Sequence, residues 1–346
     1  IKKILNPKDF NIISSLWDIT KEGDIDGKNV LNVSKSLDEI SEEKNISTLD
    51  IDSAISRAKN NLIEIRQKRI KPRTDKKIVS SWNALLISSL CNRYNITNEK
   101  KYLEQAKSTA ESILKFNLKN NVLLHTSEGE NSFLEDYSYF ISSLFELYNS
   151  SLDPYWFNLA KDFCDETILK FWSKKESIFF DSVESTELII RPKGFFDPMV
   201  PNPAAIAAQN LYKIYRFTGE EKYLKIVGES IKKVSGLLDK SPLDVPSWFM
   251  LYYQMQEQNY EILISGKKED NFYKESKSLI LSSFIPNLIF CSSTGNRKEL
   301  DLPIMKGRRN DNKTTVYICK NYVCNLPINN IKDLNNQLTK IVGVYK

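Results

Sequence analysis

Carboxylate, amide and aromatic side chains recur in this chain close to the points where apolar, helix-like segments begin. The set consists of Asp75, Trp82, Asn83, Glu135, Asp136, Tyr137, Asp197 and Asn202. Carboxylates can act as general acid and base, flat aromatic rings can stack on sugar rings, and asparagine can hydrogen-bond hydroxyl groups. The mixture therefore predicts a site for carbohydrate chemistry.

Within this set, Asp136 is the expected acid or base, with Asp197 or Asp75 as its catalytic partner. Trp82 and Tyr137 are expected to stack on a ligand. Asn83, Glu135 and Asn202 complete the predicted binding residues. A structural role competes with this interpretation, because Asp and Asn near helix starts are common caps and the helix dipole favours Glu in a first turn.

The elements that would position these residues follow a repeat. Three helical patterns end at a tyrosine, and a second aromatic residue follows each tyrosine after eight residues. The patterns begin near Trp82, Asp136 and Ala204; the tyrosines are Tyr94, Tyr148 and Tyr215; the second aromatics are Tyr102, Trp156 and Tyr223. Each unit is therefore predicted to be a helix, a short polar loop and a second helix, an αα-hairpin.

The two helices of each hairpin differ in polarity. The first is densely apolar, as in "ALLISSL" and "AAIAAQNL", whereas the second carries charges along one side. An inner and an outer ring would require this difference. The predicted fold class is mainly α, an αα-hairpin toroid of the (α/α)6 type that is incomplete in this chain, with an α-solenoid as the alternative. In a ring, the amino-terminal ends of the inner helices would surround one funnel.

Further elements flank the hairpins. Helices are expected at Pro7 to Trp17, Asp50 to Arg69 and Ser247 to Gln256, and a β-hairpin at Ser177 to Ser182 and Glu187 to Pro192. After Asn259, short apolar strands surround one helix and predict a small α/β piece. The expected domains are thus a helical toroid over 1–258 and an α/β subdomain over 259–346.

Composition narrows the functional classes. The 346 residues carry a net charge of +5 with interspersed acids and bases, and no apolar run reaches membrane-spanning length, so neither nucleic acid nor membrane is expected as a partner. The five cysteines form no C-x-x-C, which predicts a reduced, cytoplasmic protein with Cys319 and Cys324 as packing residues. The single histidine, His125, is expected in a loop or packing role. It argues against a zinc site, and no metal or cofactor is predicted.

Four segments carry a resemblance to a known family. "WDITKEGDIDGKNVLNV", "KRIKPRTDKKIVSSWNALLISSL", "SFLEDYSYFISSLFELY" and "TTVYICKNYVCNLP" resemble, in order, the carboxyl half of YyaL-type thioredoxin-domain-containing proteins. Asp75, Trp82, Asn83 and the Asp136–Tyr137 pair match family positions, and Asp197 lies in a matching segment. The chain departs from the pattern at "RTDKK", where the family usually has His-x-Asp-Asp-Lys.

The resemblance implies a thioredoxin-like domain followed by an (α/α)6 toroid similar to N-acylglucosamine 2-epimerases and six-hairpin glycosidases. The chain begins at Ile1 rather than Met, so it is expected to be a fragment whose partner is the thioredoxin-like domain of the same protein. The expected activity is sugar epimerisation, isomerisation or glycoside hydrolysis on a carbohydrate ligand. The departures favour an alternative, a non-catalytic docking platform for the thioredoxin-like domain and its clients.

Overall fold

The structure, a computed structural model, describes residues 1–185, 188–197, 199–256, 259–294, 299–308, 313–321 and 323–343. Its residues form two compact units, Ile1–Lys76 and Lys77–Lys346. No helix formed by these described residues has the length and apolar character that would be needed to cross a membrane.

The first unit contains three helices, α1 (Pro7–Leu16), α2 (Leu37–Lys44) and α3 (Thr48–Gln67). Their buried faces form a separate small core, in which Ile13, Ile40 and Ile51 are fully buried. The helices expected around 7–17 and 50–69 are confirmed, and α2 is an addition. The residues from 68 to 78 that follow α3 are all exposed.

The predicted hairpins are confirmed in the second unit. The inner helices are α4 (Ser80–Thr97), α6 (Leu134–Ser151) and α8 (Pro203–Thr218), and their outer partners are α5 (Lys100–Phe116), α7 (Pro154–Phe171) and α9 (Glu221–Lys240). The helix expected at Ser247 to Gln256 is confirmed as α10 (Pro246–Gln256), and it packs on α8. Inner helices pack on one another in the order α4, α6, α8, and each outer helix packs on its own inner partner.

The three inner helices end in the same way. The residue four positions after each terminal tyrosine adopts the left-handed conformation and donates its N–H to that tyrosine's carbonyl. These residues are Asn98, Leu152 and Gly219, with φ of 56°, 57° and 74°. This arrangement pairs a carbonyl that would otherwise lack a partner at the helix end. The repeat seen in the sequence is therefore a repeat of backbone conformation.

Burial separates the two helices of a hairpin as the sequence predicts. The inner helix α6 buries side chains on nearly all sides, including Phe140, Leu144 and Phe145. The outer helix α5 buries Leu103, Ala106, Ala110 and Ile113 at intervals of three or four residues, which is one face of a helix. The mainly α, two-layered fold class is confirmed.

Two short antiparallel hairpins lie between the helices: β1 (Leu118–Lys119) with β2 (Val122–Leu123), and β3 (Trp172–Ser173) with β4 (Ile178–Phe179). The β-hairpin insertion was expected to pair residues 177–182 with 187–192. This pairing is wrong for the described residues, because Ile178–Phe179 pairs back on Trp172–Ser173. Glu187 itself lies outside the described residues.

The carboxyl-terminal layer is a four-stranded sheet in the order β6–β5–β7–β8, with helices α11 (Asn271–Ser282) and α12 (Ile331–Gly343). β5 (Tyr260–Ser265) and β6 (Ile289–Ser293) are parallel and are joined by α11, so the predicted βαβ arrangement is confirmed. β7 (Thr315–Lys320) and β8 (Val323–Cys324) are antiparallel to their neighbours.

Pairing of Lys320 with Val323 places Cys319 opposite Cys324, and these two cysteines form a disulfide. The expectation that all five cysteines are reduced is therefore wrong for this pair. Cys91, Cys164 and Cys291 are free and buried.

The chain changes from helices to a sheet close to residue 258, where the sequence suggested a domain boundary. The division into compact units lies instead at Lys76 and Lys77, and residues 77–346 belong to one unit. Arg216 of α8 and Glu261 of β5 form a buried ion pair of 2.7 Å within this unit. A separate subdomain over 259–346 stays a prediction.

Candidate functional site

The amino-terminal ends of α4 and α6 are joined by Asp136. Its carboxylate accepts a hydrogen bond from the Ser81 N–H of α4 at 3.2 Å and another from the Phe133 N–H before α6 at 3.2 Å. Asp136 is fully buried. It therefore caps its own helix and reaches across to the neighbouring one, which brings two inner helix starts together as predicted.

His125 contacts the same carboxylate. Its Nδ1 lies 3.0 Å from Asp136 Oδ1 and 3.2 Å from Oδ2, and the Phe133 ring packs edge-on against the imidazole. The loop that carries His125 is held against the start of α4, because the Ser80 N–H donates to the His125 carbonyl at 2.9 Å. A buried carboxylate on one ring nitrogen orients the imidazole and leaves Nε2 for exchange with a ligand.

Glu135 completes a titratable trio. Its Oε1 lies 3.5 Å from His125 Nδ1, and it accepts a hydrogen bond from Ser81 Oγ at 3.3 Å. The side chains of His125 and Glu135 are each 29% exposed, in contrast to Asp136. The trio thus has two groups that a ligand can reach and one buried group that holds them.

Burial raises the pKa of Asp136 to about 6, and the charge and hydrogen bond of His125 oppose that rise. The negative charge of Glu135 acts in the same direction as burial. A carboxyl group whose pKa lies near neutrality, beside a histidine, is typical of acid–base sites.

Among the described residues, His125, Glu135 and Asp136 are also a group whose ligand atoms lie close enough to hold a metal ion, all within 4.8 Å of one another. Both Asp136 oxygens already accept backbone N–H groups, so a metal ion would compete with two helix caps. The expectation that the chain uses no metal stays a prediction.

Trp82 and Asn83 occupy the first turn of α4, immediately after Ser81. The Trp82 ring is 68% exposed, so it has a face open to a ligand, and the preceding residue, Ser81, contacts both acidic members of the trio. Asn83 Nδ2 donates to the Val79 carbonyl at 2.9 Å within its own helix end. The structure thus gives Asn83 a local capping contact, whereas Trp82 keeps the surface that its predicted stacking role needs.

Tyr137 has no exposed ring face. Its hydroxyl accepts from the Leu123 N–H at 3.0 Å and from Lys170 Nζ at 2.7 Å, and its ring packs edge-on against Phe163 and Phe171. It is fully buried. This burial corrects the expected stacking role, because a ring enclosed by core aromatics offers nothing to a sugar.

Asp197 and Asn202 form a second junction, between α8 and α10. Asp197 accepts the Asn202 N–H and the Ser247 N–H at the start of α10, the latter at 3.0 Å. Asn202 is buried and caps α8 by accepting the Ala205 N–H at 3.0 Å. Its amide also donates to the carbonyls of Gly194 and Phe196. The capping interpretation therefore describes the contacts of both residues.

Tyr139 connects the two junctions. Its hydroxyl donates to the Pro201 carbonyl at 2.5 Å, and burial together with the negative charges of Glu135 and Asp197 raises its pKa. The charge of Glu135 also raises the pKa of Asp181, after burial as the main cause. Carboxylates from the first turn of α6 and from the segment before α8 thus lie close enough to affect one another.

Asp75 lies in the first unit, in the exposed segment between α3 and α4. Its expected catalytic role stays a prediction. The main residue that sequence reasoning missed is His125. The sequence feature that could have predicted its contact is weak. His125 lies ten residues before the acidic pair at the start of α6, and the loop between them is short enough to fold back.

No family model matches the chain. Among curated proteins it is similar to the uncharacterized protein B0495.5 of Caenorhabditis elegans, with 26% identity over 98% of this chain and 50% of that protein. It is also similar to spermatogenesis-associated protein 20 of Homo sapiens, with 23% identity over 92% of this chain and 43% of that protein. The chain thus spans about half the length of the curated relatives it matches.

Among solved structures, the chain is similar to the GH76 α-mannanase BT2949 of Bacteroides thetaiotaomicron, with 14% identity, a TM-score of 0.44 and coverage of 80% of this chain and 81% of that one. It is also similar to cellobiose 2-epimerase of Bacillus thermoamylovorans, with 9% identity, a TM-score of 0.38 and coverage of 47% and 45%.

Proposed function

We propose that this chain carries an acid–base site that acts on carbohydrates at the junction of α4 and α6. The observation that carries the proposal is the contact of His125 Nδ1 with the buried Asp136 carboxylate at 3.0 Å, with Glu135 Oε1 3.5 Å away. His125 transfers the proton, Asp136 positions it, and Glu135 is the second acid or base. Asp136 therefore changes from the acid itself to a positioning residue.

Two reaction classes use such a pair. In epimerisation or isomerisation, one group removes a proton from a sugar carbon and the other returns a proton to the opposite face or a neighbouring atom. In glycoside hydrolysis, one group protonates the leaving oxygen while the other activates water or attacks the sugar. The exposed ring of Trp82, which follows directly after the Ser81 that contacts Glu135, supports sugar binding in either case.

The complete protein, incubated in D2O with mono- and disaccharides, tests the proposal by NMR. Proton transfer at carbon incorporates deuterium into the sugar, and hydrolysis instead releases new reducing ends. His125→Gln and Glu135→Gln should each lower either rate at least about 100-fold, the scale of general acid–base catalysis. Glu104→Gln, on the exposed face of α5, is the matched control. Full activity in His125→Gln would overturn the proposal.

A second function is favoured by a different observation. Trp82 and Leu86 form an exposed apolar stripe one turn apart at the start of α4, and Ile78, just before the helix, is also exposed. An apolar stripe of this kind is typical of a surface that contacts another protein. It supports a docking platform for the thioredoxin-like domain that the resemblance implies, and that partner, like a cytoplasmic location, stays a prediction.

Leu86→Ser separates the two functions, because Leu86 lies a full turn beyond Trp82 and outside the trio. Docking predicts that Leu86→Ser weakens association of residues 77–346 with the preceding part of the complete protein, expressed separately, while His125→Gln leaves that association unchanged. An unaltered association in Leu86→Ser would contradict docking on this stripe.

A further inference from the structure

A second site lies at the other end of the inner helices. A cavity of about 350 Å³ is lined by residues of α4, α6, α8 and α10 on one side and by residues 280–290, from the end of α11 into β6, on the other. Its α6 residues, Ser142, Glu146 and Asn149, lie six or more residues beyond Asp136, which is in the first turn of that helix. The cavity is therefore separate from the His125 trio.

The hairpin repeat itself builds this cavity. Asn95, Asn149 and Arg216 each follow directly after the terminal tyrosine of their hairpin, and all three line the cavity. Positions related by the repeat thus converge on one space from three helices. A single polar residue at such a position could be accidental, but three equivalent ones form a shared surface.

Two of the helices present a continuous polar stripe. On α6 the stripe is Ser142, Glu146 and Asn149; on α8 it is Gln209, Lys213 and Arg216. Both follow the spacing i, i+4, i+7, which keeps side chains on one helix face. Both faces line the cavity, and their side chains are partly or fully buried, where polar groups need partners.

Some of these groups lack partners. Asn149 Oδ1, Arg216 Nε and Asn287 Nδ2 are buried and make no hydrogen bond to any described residue. Arg216 is 4% exposed by its side chain, and its Nη2 donates to Glu261 Oε1 at 2.7 Å. Leaving such a buried group unpaired is unfavourable, because the group has lost its hydrogen bonds to water. Asn149, Arg216 and Asn287 all line the cavity, so three polar groups without a partner lie in its wall.

The charges around the cavity balance. Glu146 pairs with Lys213 at 3.0 Å, and Arg216 pairs with Glu261. An anion would approach Glu146, and a cation would approach Lys213 and Arg216, so neither sign is favoured. Hydroxyl groups can donate and accept, which matches the polar groups without a partner, and asparagine and glutamine amides bind them well.

We infer that this cavity binds a small, uncharged compound rich in hydroxyl groups, independently of the His125 trio. The volume lies within the range of small-molecule pockets. Its hydroxyl groups lie against the wall that holds Asn149, Arg216 and Asn287.

Titration calorimetry of the complete protein with a matched series of linear polyols tests the inference. D-sorbitol is neutral, D-gluconate carries a negative charge and N-methyl-D-glucamine a positive one. Sorbitol should bind more tightly than both charged analogues. Asn149→Leu keeps the volume but removes the acceptor, and should weaken sorbitol binding about tenfold. Ser142→Phe should abolish binding by filling the cavity.

His125→Gln distinguishes this site from the proposed catalytic one, and it should leave sorbitol binding unchanged. Circular dichroism melts show that each variant is folded. Three results would overturn the inference: no sorbitol binding to the folded wild type, tighter binding of a charged analogue, or binding that is lost in His125→Gln but kept in Asn149→Leu. If His125→Gln loses catalysis but keeps sorbitol binding, the two sites are independent, as inferred.

Discussion

Burial decides what the acidic residues at the helix starts can do. Asp136 and Glu135 are neighbours in sequence, yet Asp136 is fully buried while Glu135 is partly exposed. The buried carboxylate holds two backbone N–H groups and a histidine, and the exposed one is left to meet a ligand. Adjacent residues of the same charge therefore have different tasks, as the direction of their side chains from the helix requires.

The raised pKa of Asp136 predicts a pH dependence of stability. Its ordinary value is 3.8 and its folded value is about 6, so between these pH values the folded state binds more protons than the unfolded state. The free energy of unfolding therefore falls as pH rises through this window. Asp136→Asn should lack this contribution, which is about 3 kcal/mol.

Urea unfolding at pH 4, 5, 6 and 7 measures this effect. The stability of wild type relative to Asp136→Asn should decline from pH 4 to pH 6 and level off above it. Asp153→Asn is the control, because Asp153 also caps a helix, α7, but its side chain is exposed. A wild-type advantage that grows with pH would contradict the assigned direction.

At the scale of elements, helix capping explains the contacts of several residues that the sequence predicted to form a site. Asn202 and Asn6 occupy the same local pattern, Asn followed by Pro at the first helical position, and each accepts the N–H three residues later. Only Asn202 is buried and binds two further carbonyls. The same dipeptide thus has a local function in α1 and a long-range one in α8.

Asn202→Ala should destabilise the second unit by about 2 kcal/mol or more, because it removes a buried cap and the amide that donates to the Gly194 and Phe196 carbonyls. Asn6→Ala is the matched control and should cost about 1 kcal/mol in the first unit. In variants that keep only Trp156 or only Trp248, chemical denaturation followed by tryptophan fluorescence measures the stability of the second unit. An equal loss for both variants in their own units would show that the extra contacts of Asn202 contribute nothing.

The hairpins could be predicted because their signal is local and repeated: a 3.6-residue apolar period, a terminal tyrosine and a polar loop of fixed length. The His125 contact could not, since it depends on the loop before α6 folding back onto Ser80, and no period or motif marks such a return. The predicted stacking role of Tyr137 is wrong for a related reason. An aromatic residue next to a carboxylate has the same appearance in a sequence whether its ring lies in a cleft or in the core.

At the scale of the whole molecule, the two compact units meet in sequence at an exposed segment. Residues 68–78 are exposed throughout and contain several lysines and arginines. Exposed segments without regular structure are the preferred sites of proteolysis. Brief trypsin treatment should therefore cut this segment first and leave a resistant fragment that begins near Lys77.

Mass spectrometry of the time course identifies the first cut, and a variant with Lys68, Arg69, Lys71, Arg73, Lys76 and Lys77 changed to glutamine is the control in which that cut is slowed. The 77–346 fragment should keep a cooperative thermal transition, since it contains its own core. Early cleavage within α4 to α9 would contradict the division at this position.

The end of α6 has a consequence for how freely parts of this molecule could be exchanged. Asn98 and Gly219 tolerate the left-handed conformation, but Leu152 adopts it at a cost of roughly 1–2 kcal/mol. Its side chain is buried among residues of the carboxyl-terminal sheet layer, including Tyr260 and Ile262, and this burial offsets the strain. If an unrelated layer replaced the sheet, the second hairpin would keep its sequence, but the strain at Leu152 would no longer be offset by this burial. The sheet layer and the second hairpin are therefore expected to be inherited together, as one evolutionary module.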